Sequence, residues 1–191
     1  MGRKRIRDIR NEELIEATIT AVHKSGYSVV TMAEIAQEAG ASAASINYYF
    51  GSKEGLMEAT MRHLLRKLRR AMTEGYATAS TPRERLYAVM DANFSDALFT
   101  VPQCSIWMQF WANAPYSPRL SRLHRINRAR VRSHFLAELG RLLPPERVET
   151  ARQALQCYMD GVWLQAAQSD APLDPAEARE AAHLVVDLAL S

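Results

Sequence analysis

Apolar residues recur three and four positions apart along almost the whole chain, and no convincing alternating run is bounded by turn residues. This spacing puts the apolar side chains on one face of an α-helix, so the sequence predicts an all-helical protein. Capping and turn residues divide the pattern into about nine helices. The first apolar stripe ends at Ser25-Gly26, and Thr31 with Glu34 forms a capping-box pair that opens the next short helix.

A third short helix completes the first 52 residues. Ser42 is placed to cap it, it reaches about Tyr49, and Phe50-Gly51-Ser52 ends it. A long helix is predicted over about 53–78, and the domain boundary is predicted just before it, which gives domains 1–52 and 53–191. Further helices are predicted over 82 to about 99, 103–114, 118 to before Pro144, about 146–168 and about 174–190.

Composition and cysteine usage exclude several classes. Of the 191 residues, 48% are hydrophobic and 24% are charged, which is typical of a globular protein. We expect no membrane span, since no apolar run approaches eighteen residues, and no signal peptide, since no apolar stretch follows the basic N-terminus. Cys104 and Cys157 lie far apart without a CxxC, so we expect no disulfide scaffold and a cytoplasmic location. The histidines lack ligand spacing and no acid–base or nucleophile motif is present, so we expect no metal, no cofactor and no enzyme.

The first three helices form a helix-turn-helix, because the last two are short and joined by a turn that contains glycine. In such a unit the second helix of the pair enters the major groove of double-stranded DNA, and here that helix is 42–49. Small and polar side chains permit close approach and hydrogen bonds to base edges. Those on this helix are Ser42, Ala43, Ala44, Ser45 and Asn47. The same geometry also occurs in proteins that do not bind DNA, so both interpretations stay open at this point.

Other residues near this unit are suited to phosphate. Tyr48 and Tyr49 can reach phosphate oxygens, while Thr31 and Lys53 sit at predicted helix N-termini, where backbone N–H groups favour anions. The basic N-terminus forms a flexible arm suited to a minor groove or to the DNA backbone, although a basic tail is often only a solvated terminus. Its cations are Arg3, Lys4, Arg5, Arg7 and Arg10.

Three segments carry a family resemblance: TMAEIA at 31–36, AGAS at 39–42 and YYFGSKEGL at 48–56. Together they resemble the signature of the tetracycline-repressor (TetR) family. The resemblance implies an all-helical homodimer with an N-terminal DNA-binding domain and a C-terminal ligand-sensing domain. It also implies DNA-backbone contacts by Thr31, Ser42, Tyr48 and Lys53, and base contacts by Ala43, Ala44, Ser45 and Asn47.

Aromatic residues cluster in the C-terminal part. Trp107, Phe110 and Trp111 share one helix face, and further candidates are Phe94, Tyr116, Tyr158 and Trp163. Aromatic faces attract a cation that has no hydrogen-bond donors, of which quaternary ammonium is the best-attested case. Asp160 could add negative charge, and Tyr116 could bond a hydroxyl group of such a ligand. Aromatic residues at this spacing more often form a buried core than a ligand cage, and Asp160 could instead bond a neighbouring group.

Two further segments, IWMQFWA at 106–112 and DGVWL at 160–164 followed by APLD, resemble the choline-responsive repressors of betaine synthesis within this family. This resemblance implies a small-molecule effector such as choline and control of betaine-synthesis or uptake genes. Family members also dimerise through their last two helices, which here are rich in small residues. The alternatives are a multidrug-type sensor of lipophilic ligands that controls an efflux or catabolic gene, and a helical enzyme acting on a cationic substrate. The arginines at 119–132 are interpreted as a solvated helix face with local ion pairs.

Overall fold

The computed structural model describes residues 6–191, and in that range the backbone forms nine α-helices, one 3₁₀ turn and no strand. The helices are α1 (Ile6–Ser25), α2 (Met32–Glu38), α3 (Ala43–Phe50), α4 (Lys53–Thr78), α5 (Pro82–Asn93), α6 (Val101–Asn113), α7 (Pro118–Leu139), α8 (Pro145–Ala167) and α9 (Pro175–Leu190). The 3₁₀ turn is Ala114–Tyr116. The prediction of an all-helical chain with about nine helices is confirmed.

Side-chain caps begin the helices of the N-terminal unit. The hydroxyl of Thr31 accepts from the Glu34 N–H at 3.2 Å, and the Glu34 carboxylate accepts from the Thr31 N–H at 2.6 Å, which is the predicted capping box. The hydroxyls of Ser42 and Ser52 each accept from the backbone N–H three residues later, both at 3.1 Å. Each cap satisfies a backbone donor that the first turn leaves free and stabilises its helix by about 1 kcal/mol.

The N-terminal helices share a core with the rest of the chain. Leu14, Val22, Ile35, Ile46 and Leu56, which come from α1, α2, α3 and α4, are all fully buried. Helix α4 packs against α1 and α3, and also against α5 and α7. It therefore touches both of the predicted domains, and any displacement of α4 reaches the short helices.

The end of α5 differs from the prediction. The helix ends at Asn93 rather than near residue 99. The Asn93 side chain donates to the Val89 carbonyl at 2.8 Å, and the Phe94 carbonyl accepts from the Arg179 guanidinium of α9 at 2.9 Å. The backbone N–H groups of Leu98 and Phe99 both donate to the carbonyl of residue 95. Side chains and a tight turn thus satisfy the groups that a longer helix would have used.

The predicted flexible arm is also shorter than expected. Helix α1 begins at Ile6, so Arg7 and Arg10 belong to a helix and not to an arm. Arg10 lies 2.8 Å from the carboxylate of Glu13, one turn further on, and this pair supports the first turns. The remaining cations of the arm, Arg3, Lys4 and Arg5, lie outside the described residues.

In the C-terminal part, α6 packs on α8, and α5 is flanked by α4, α7 and α9. The last two helices leave large apolar side chains exposed: Leu164 on α8, and Leu184 and Leu188 on α9, which are 65% and 73% exposed. Between residues 6 and 191, no helix is long and apolar enough to cross a lipid bilayer.

Candidate DNA-binding surface and ligand cavity

Helix α3 packs against the core through one face, and its opposite face is exposed to solvent. Ile46 is fully buried, whereas Ala44, Asn47 and Tyr48 are exposed, and Tyr48 is 81% exposed. The turn that precedes α3 uses Gly40 at a φ of 55°, a left-handed conformation that suits glycine. Of the predicted base-facing residues, Ala44 and Asn47 therefore lie on the outer surface, whereas Ala43 and Ser45 are half-buried and Ala43 packs against the core.

The predicted phosphate contacts surround this helix. The Lys53 ammonium donates to the Ser28 carbonyl at 3.2 Å and lies 6.0 Å from the centre of the Tyr27 ring, so it is held beside the α1–α2 connection. The Thr31 hydroxyl is engaged by Glu34, whose pKa is lowered by hydrogen bonds from the Thr31 backbone and hydroxyl. Next to Ser28, Val29 is 72% exposed, and no sequence pattern indicated this exposed apolar side chain.

A cavity opens in the C-terminal part between α4, α6, α7 and α8. It contains about 420 Å³ of space that no atom fills, counted out to its mouth, and most of this space is too narrow for a molecule larger than water. Its wall is mainly apolar and aromatic, with a few polar groups, as is usual for small-molecule sites. The lining residues are Leu68, Asn93, Leu98, Trp107, Trp111, Asn127, Arg128, Val131, Gln156, Met159, Asp160 and Trp163.

Three tryptophans meet at this cavity. The rings of Trp107 and Trp163 stand nearly perpendicular, at 85° with centroids 5.6 Å apart, and Trp111 lies 6.4 Å from Trp107. Trp107 and Trp163 are only 2% and 4% exposed. Within the described chain, the indole N–H groups of all three are buried without a hydrogen-bond partner. The sequence placed these residues on two helices, and the fold brings them together.

Asp160 stands in the same wall, but its carboxylate is already engaged. It forms an ion pair with Arg128 of α7 and accepts a hydrogen bond from the Gln156 amide at 3.2 Å. The expectation that Asp160 could bond a neighbouring group is thus realised in this structure. A cationic ligand that uses this carboxylate has to displace the Arg128 guanidinium.

The structure places four predicted ligand contacts away from the cavity. Phe94 and Phe110 are buried in the surrounding core, and Tyr116 is 88% exposed on the 3₁₀ turn. Tyr158 precedes Asp160 by two positions on one helix, so the two side chains point to different faces. Helical spacing in the sequence does not distinguish an aromatic ring that lines a cavity from one that is buried in the core.

Eight cavity residues were not predicted. Four are apolar or amide side chains from α4, α5 and α7, two more come from α8, and Leu98 lies in the α5–α6 connection. The positions of these seven depend on how the helices pack. Gln156 is one exception, because its i, i+4 spacing from the predicted Asp160 on one helix could have revealed the pair. Arg128 was noticed only as part of a basic helix face.

Ion pairs connect the cavity helices with the DNA-binding unit. The Lys67 ammonium lies 2.7 Å from the Glu16 carboxylate of α1, and the His63 ring lies 3.5 Å from it. These two neighbours hold the pKa of Glu16 at about 2. Lys67 directly precedes Leu68 of the cavity wall, so α4 carries both contacts within one turn.

Comparisons with known proteins decide the family. Residues 14–60 match the model of the bacterial regulatory proteins of the tetR family, and residues 82–191 match that of the BetI-type transcriptional repressor C-terminal domain. The HTH-type transcriptional regulator BetI of Burkholderia thailandensis is 40% identical over 187 residues, which are 97% of this chain and 96% of that protein. This chain belongs to the TetR family.

Solved structures agree with this fold. A transcriptional regulator from Rhodococcus sp. Rha1 is 25% identical, with a TM-score of 0.78 over 94% of this chain and 95% of that one. A regulator from Saccharomonospora viridis, solved in complex with choline, is 18% identical, with a TM-score of 0.78 over 94% of this chain and 96% of its own. This TetR-family chain is therefore a BetI-type transcriptional repressor with a helix-turn-helix, and not an enzyme.

Three of the six arginines on helix α7 of this BetI-type repressor are neutralised by ion pairs. Arg119, Arg128 and Arg132 each form an ion pair with a carboxylate of α4 or α8. This pairing favours the interpretation of α7 as a solvated face over a second nucleic-acid surface.

Proposed function

We propose that this BetI-type repressor binds choline or a related quaternary ammonium cation in the tryptophan-lined cavity, and that the bound ligand weakens its hold on operator DNA. The single observation that carries the proposal is the meeting of Trp107, Trp111 and Trp163 at one cavity whose wall also contains Asp160.

The chemistry of this wall suits such a cation. A quaternary ammonium cannot donate a hydrogen bond, so it is recognised by the negative faces of aromatic rings, and each contact contributes about 0.5–2 kcal/mol. Two or three such contacts act together with the nearby Asp160, and the free energy lost on association is subtracted from their sum. The result corresponds to an affinity in roughly the millimolar to micromolar range. The choline complex of the Saccharomonospora viridis regulator supports the proposal, because it shows that a related fold can hold this cation.

Ligand entry has to move the walls of the cavity. The space is too narrow for choline as it stands, and Asp160 is paired with Arg128. A bound cation therefore pushes on α4 at Leu68 and releases α7 at Arg128. A ligand shifts the equilibrium between a narrow and an opened cavity only by its difference in affinity for the two states. The narrow cavity cannot hold choline, so choline favours the opened state.

The DNA-binding state requires two copies of α3 on one face of a dimer. They have to lie about one turn of DNA apart, roughly 34–36 Å, or a multiple of it. We assign dimer formation to α8 and α9, where Leu164, Leu184 and Leu188 are exposed. A tilt of α4 changes the separation of the two α3 helices through its contacts with α1 and α3.

The residue roles on DNA follow the same proposal. Domain 1–52 binds DNA and domain 53–191 senses the ligand and dimerises. Phosphate contacts are assigned to Thr31, Ser42, Tyr48, Tyr49 and Lys53, base contacts to Ala43, Ala44, Ser45 and Asn47, and arm contacts to Arg3, Lys4 and Arg5. Exposure of Ala44, Asn47 and Tyr48 supports these assignments.

Calorimetric titration tests the ligand. Choline should bind the purified dimer, and Trp111→Ala, at a half-buried ring, should remove most of that binding while DNA affinity stays within twofold. Ala112→Ser, at the exposed neighbouring position, serves as the matched control. If a bulky lipophilic dye binds and choline does not, the protein is a multidrug-type sensor and the choline proposal fails.

A further inference from the structure

A second cavity lies beside the tryptophan-lined one, in the groove between α4 and α7. It contains about 990 Å³ of unfilled space counted out to its mouth, and it shares Leu68, Asn127 and Val131 with the first cavity. Among the described residues its wall has cationic, polar and apolar side chains and no carboxylate. Those that matter here are Leu65, Arg69, Met72, Tyr76, Arg130 and His134.

Two arginines line this α4–α7 groove, one from each helix. Arg69 belongs to α4 and Arg130 to α7, and within residues 6–191 neither is within ion-pair distance of a carboxylate. Other arginines of the same two helices are paired: Arg62, Arg70, Arg119, Arg128 and Arg132. Within the same range, Arg66, Arg122 and Arg125 of these helices are unpaired as well, but they lie outside the groove. Arg69 and Arg130 are thus two unpaired cations on the walls of one concave surface, where positive charge attracts anions.

Tyr76 adds a hydrogen-bond donor to this charge. Its hydroxyl is buried and has no hydrogen-bond partner in the described part of the chain. Burial raises the pKa of Tyr76 to about 12, so the phenol keeps its proton at neutral pH. The Tyr76 ring lies edge-on to His134, with centroids 5.1 Å apart, and burial lowers the pKa of His134. The buried Glu138 carboxylate lies close enough to favour a higher pKa for both Tyr76 and His134, and it is paired with Arg85 and Arg141. Tyr76 therefore contributes a buried, unpartnered donor to the groove.

We propose that the α4–α7 groove binds an organic anion, namely a carboxylate or sulfonate on an aromatic or aliphatic body, as a second effector. Arginine on either wall pairs with the acid group, since its planar fork matches carboxylate geometry, and Tyr76 donates to the same oxygens. Leu65 and Met72 contact the apolar body. Because α4 forms a wall of both cavities, the anion also biases the position of the DNA-binding unit. This site does not depend on choline being the cation.

The direct test uses 2-naphthoate as the probe and neutral 2-naphthamide as its matched control, titrated by calorimetry into the full-length protein at about 150 mM salt. Naphthoate should bind at least tenfold more tightly than the amide. Arg69→Gln and Arg130→Gln should each weaken naphthoate at least fivefold and leave the affinity for choline within twofold. Arg66→Gln and Arg125→Gln, exposed on the same helices but outside the groove, should change neither.

Several results overturn the proposal. Equal binding of naphthoate and naphthamide shows that charge is not recognised, and equal losses in the control variants show that the arginines of the groove act only through net charge. Competition separates the two sites: saturating choline should change the naphthoate affinity by less than tenfold. A naphthoate dissociation constant that rises in proportion to choline concentration shows one shared site and contradicts a second effector. Failure of choline to bind leaves the naphthoate results decisive on their own.

Discussion

The ion pair between Arg128 and Asp160 makes an unusual prediction, because removing a charged cavity residue should improve ligand binding. The Arg128 guanidinium is paired with the Asp160 carboxylate, which is the group that the proposed cationic ligand would contact. Arg128→Met keeps an unbranched apolar stem and removes the guanidinium with its charge. Choline then no longer has to displace a competing cation from Asp160.

The size of the effect follows from exposure. The side chains of Arg128 and Asp160 are 43% and 26% exposed, so water and salt screen the pair. Such pairs are worth about 0–1 kcal/mol, and this free energy becomes available to choline in the variant. Since about 1.4 kcal/mol corresponds to tenfold, choline should bind up to about fivefold more tightly. Asp160→Asn removes the attraction itself and leaves Arg128 facing the cation, so choline should bind at least about tenfold more weakly.

Calorimetry at pH 7 and about 150 mM salt measures both variants against Arg125→Met, an exposed control on the same helix outside the cavity. The affinity for 3,3-dimethyl-1-butanol, a neutral isostere of choline, should be the same in both variants as in the wild type. If Arg128→Met weakens choline binding tenfold instead, the guanidinium itself holds the ligand, and the reasoning that the ligand and Arg128 compete for Asp160 is refuted.

Three further predictions concern DNA binding, acid stability and assembly. Lys53→Ala should weaken binding to every DNA duplex alike and reduce the slope of log affinity against log salt concentration by about one, whereas Asn47→Ala should change the sequence preference. Mobility-shift assays on a set of operator variants measure both effects. If the two substitutions weaken binding to every variant by the same factor, the assignment of Lys53 to phosphate and Asn47 to bases is contradicted. Glu16→Gln should lower the free energy of unfolding at pH 7, because the pKa of Glu16 is held at about 2. The wild-type advantage should be complete above about pH 4.5 and vanish as the pH falls towards 2, and a pH-independent difference in chemical denaturation contradicts it. Leu188→Glu should weaken the dimer at least about tenfold in sedimentation experiments, while Leu142→Glu, in the α7–α8 connection, should not; a stable Leu188→Glu dimer excludes this surface.

The fold was accessible from sequence where local signals agree. Helix α4 begins and ends at the predicted residues, because the Ser52 hydroxyl caps it and a continuous apolar stripe runs along it. The end of helix α5 was predicted wrongly from the same signals. It depends on the guanidinium of Arg179, which comes from α9, far along the chain. Contacts of this kind cannot be inferred from the neighbours of a residue.

The candidate site shows the same division. Trp107, Trp111 and Trp163 were found because ring chemistry and helical spacing indicated them, but Phe94 and Phe110 satisfied the same criteria and are core residues. Only the packing of α6 against α8 decides which rings meet a cavity. The pairing of Asp160 across two helices was also beyond reach, because a sequence pattern cannot show which of several arginines faces a carboxylate.

The most direct test of the proposed choline-sensing repressor follows the release of DNA during titration with choline. A DNA duplex that the protein selects from random sequences is labelled, and the fluorescence anisotropy of its complex with the protein is measured. Anisotropy should fall to the value of free DNA between micromolar and millimolar choline, and 3,3-dimethyl-1-butanol at the same concentrations should leave the complex intact. A complex that persists in saturating choline, or one that the neutral isostere releases equally well, contradicts recognition of the cation by the three tryptophans.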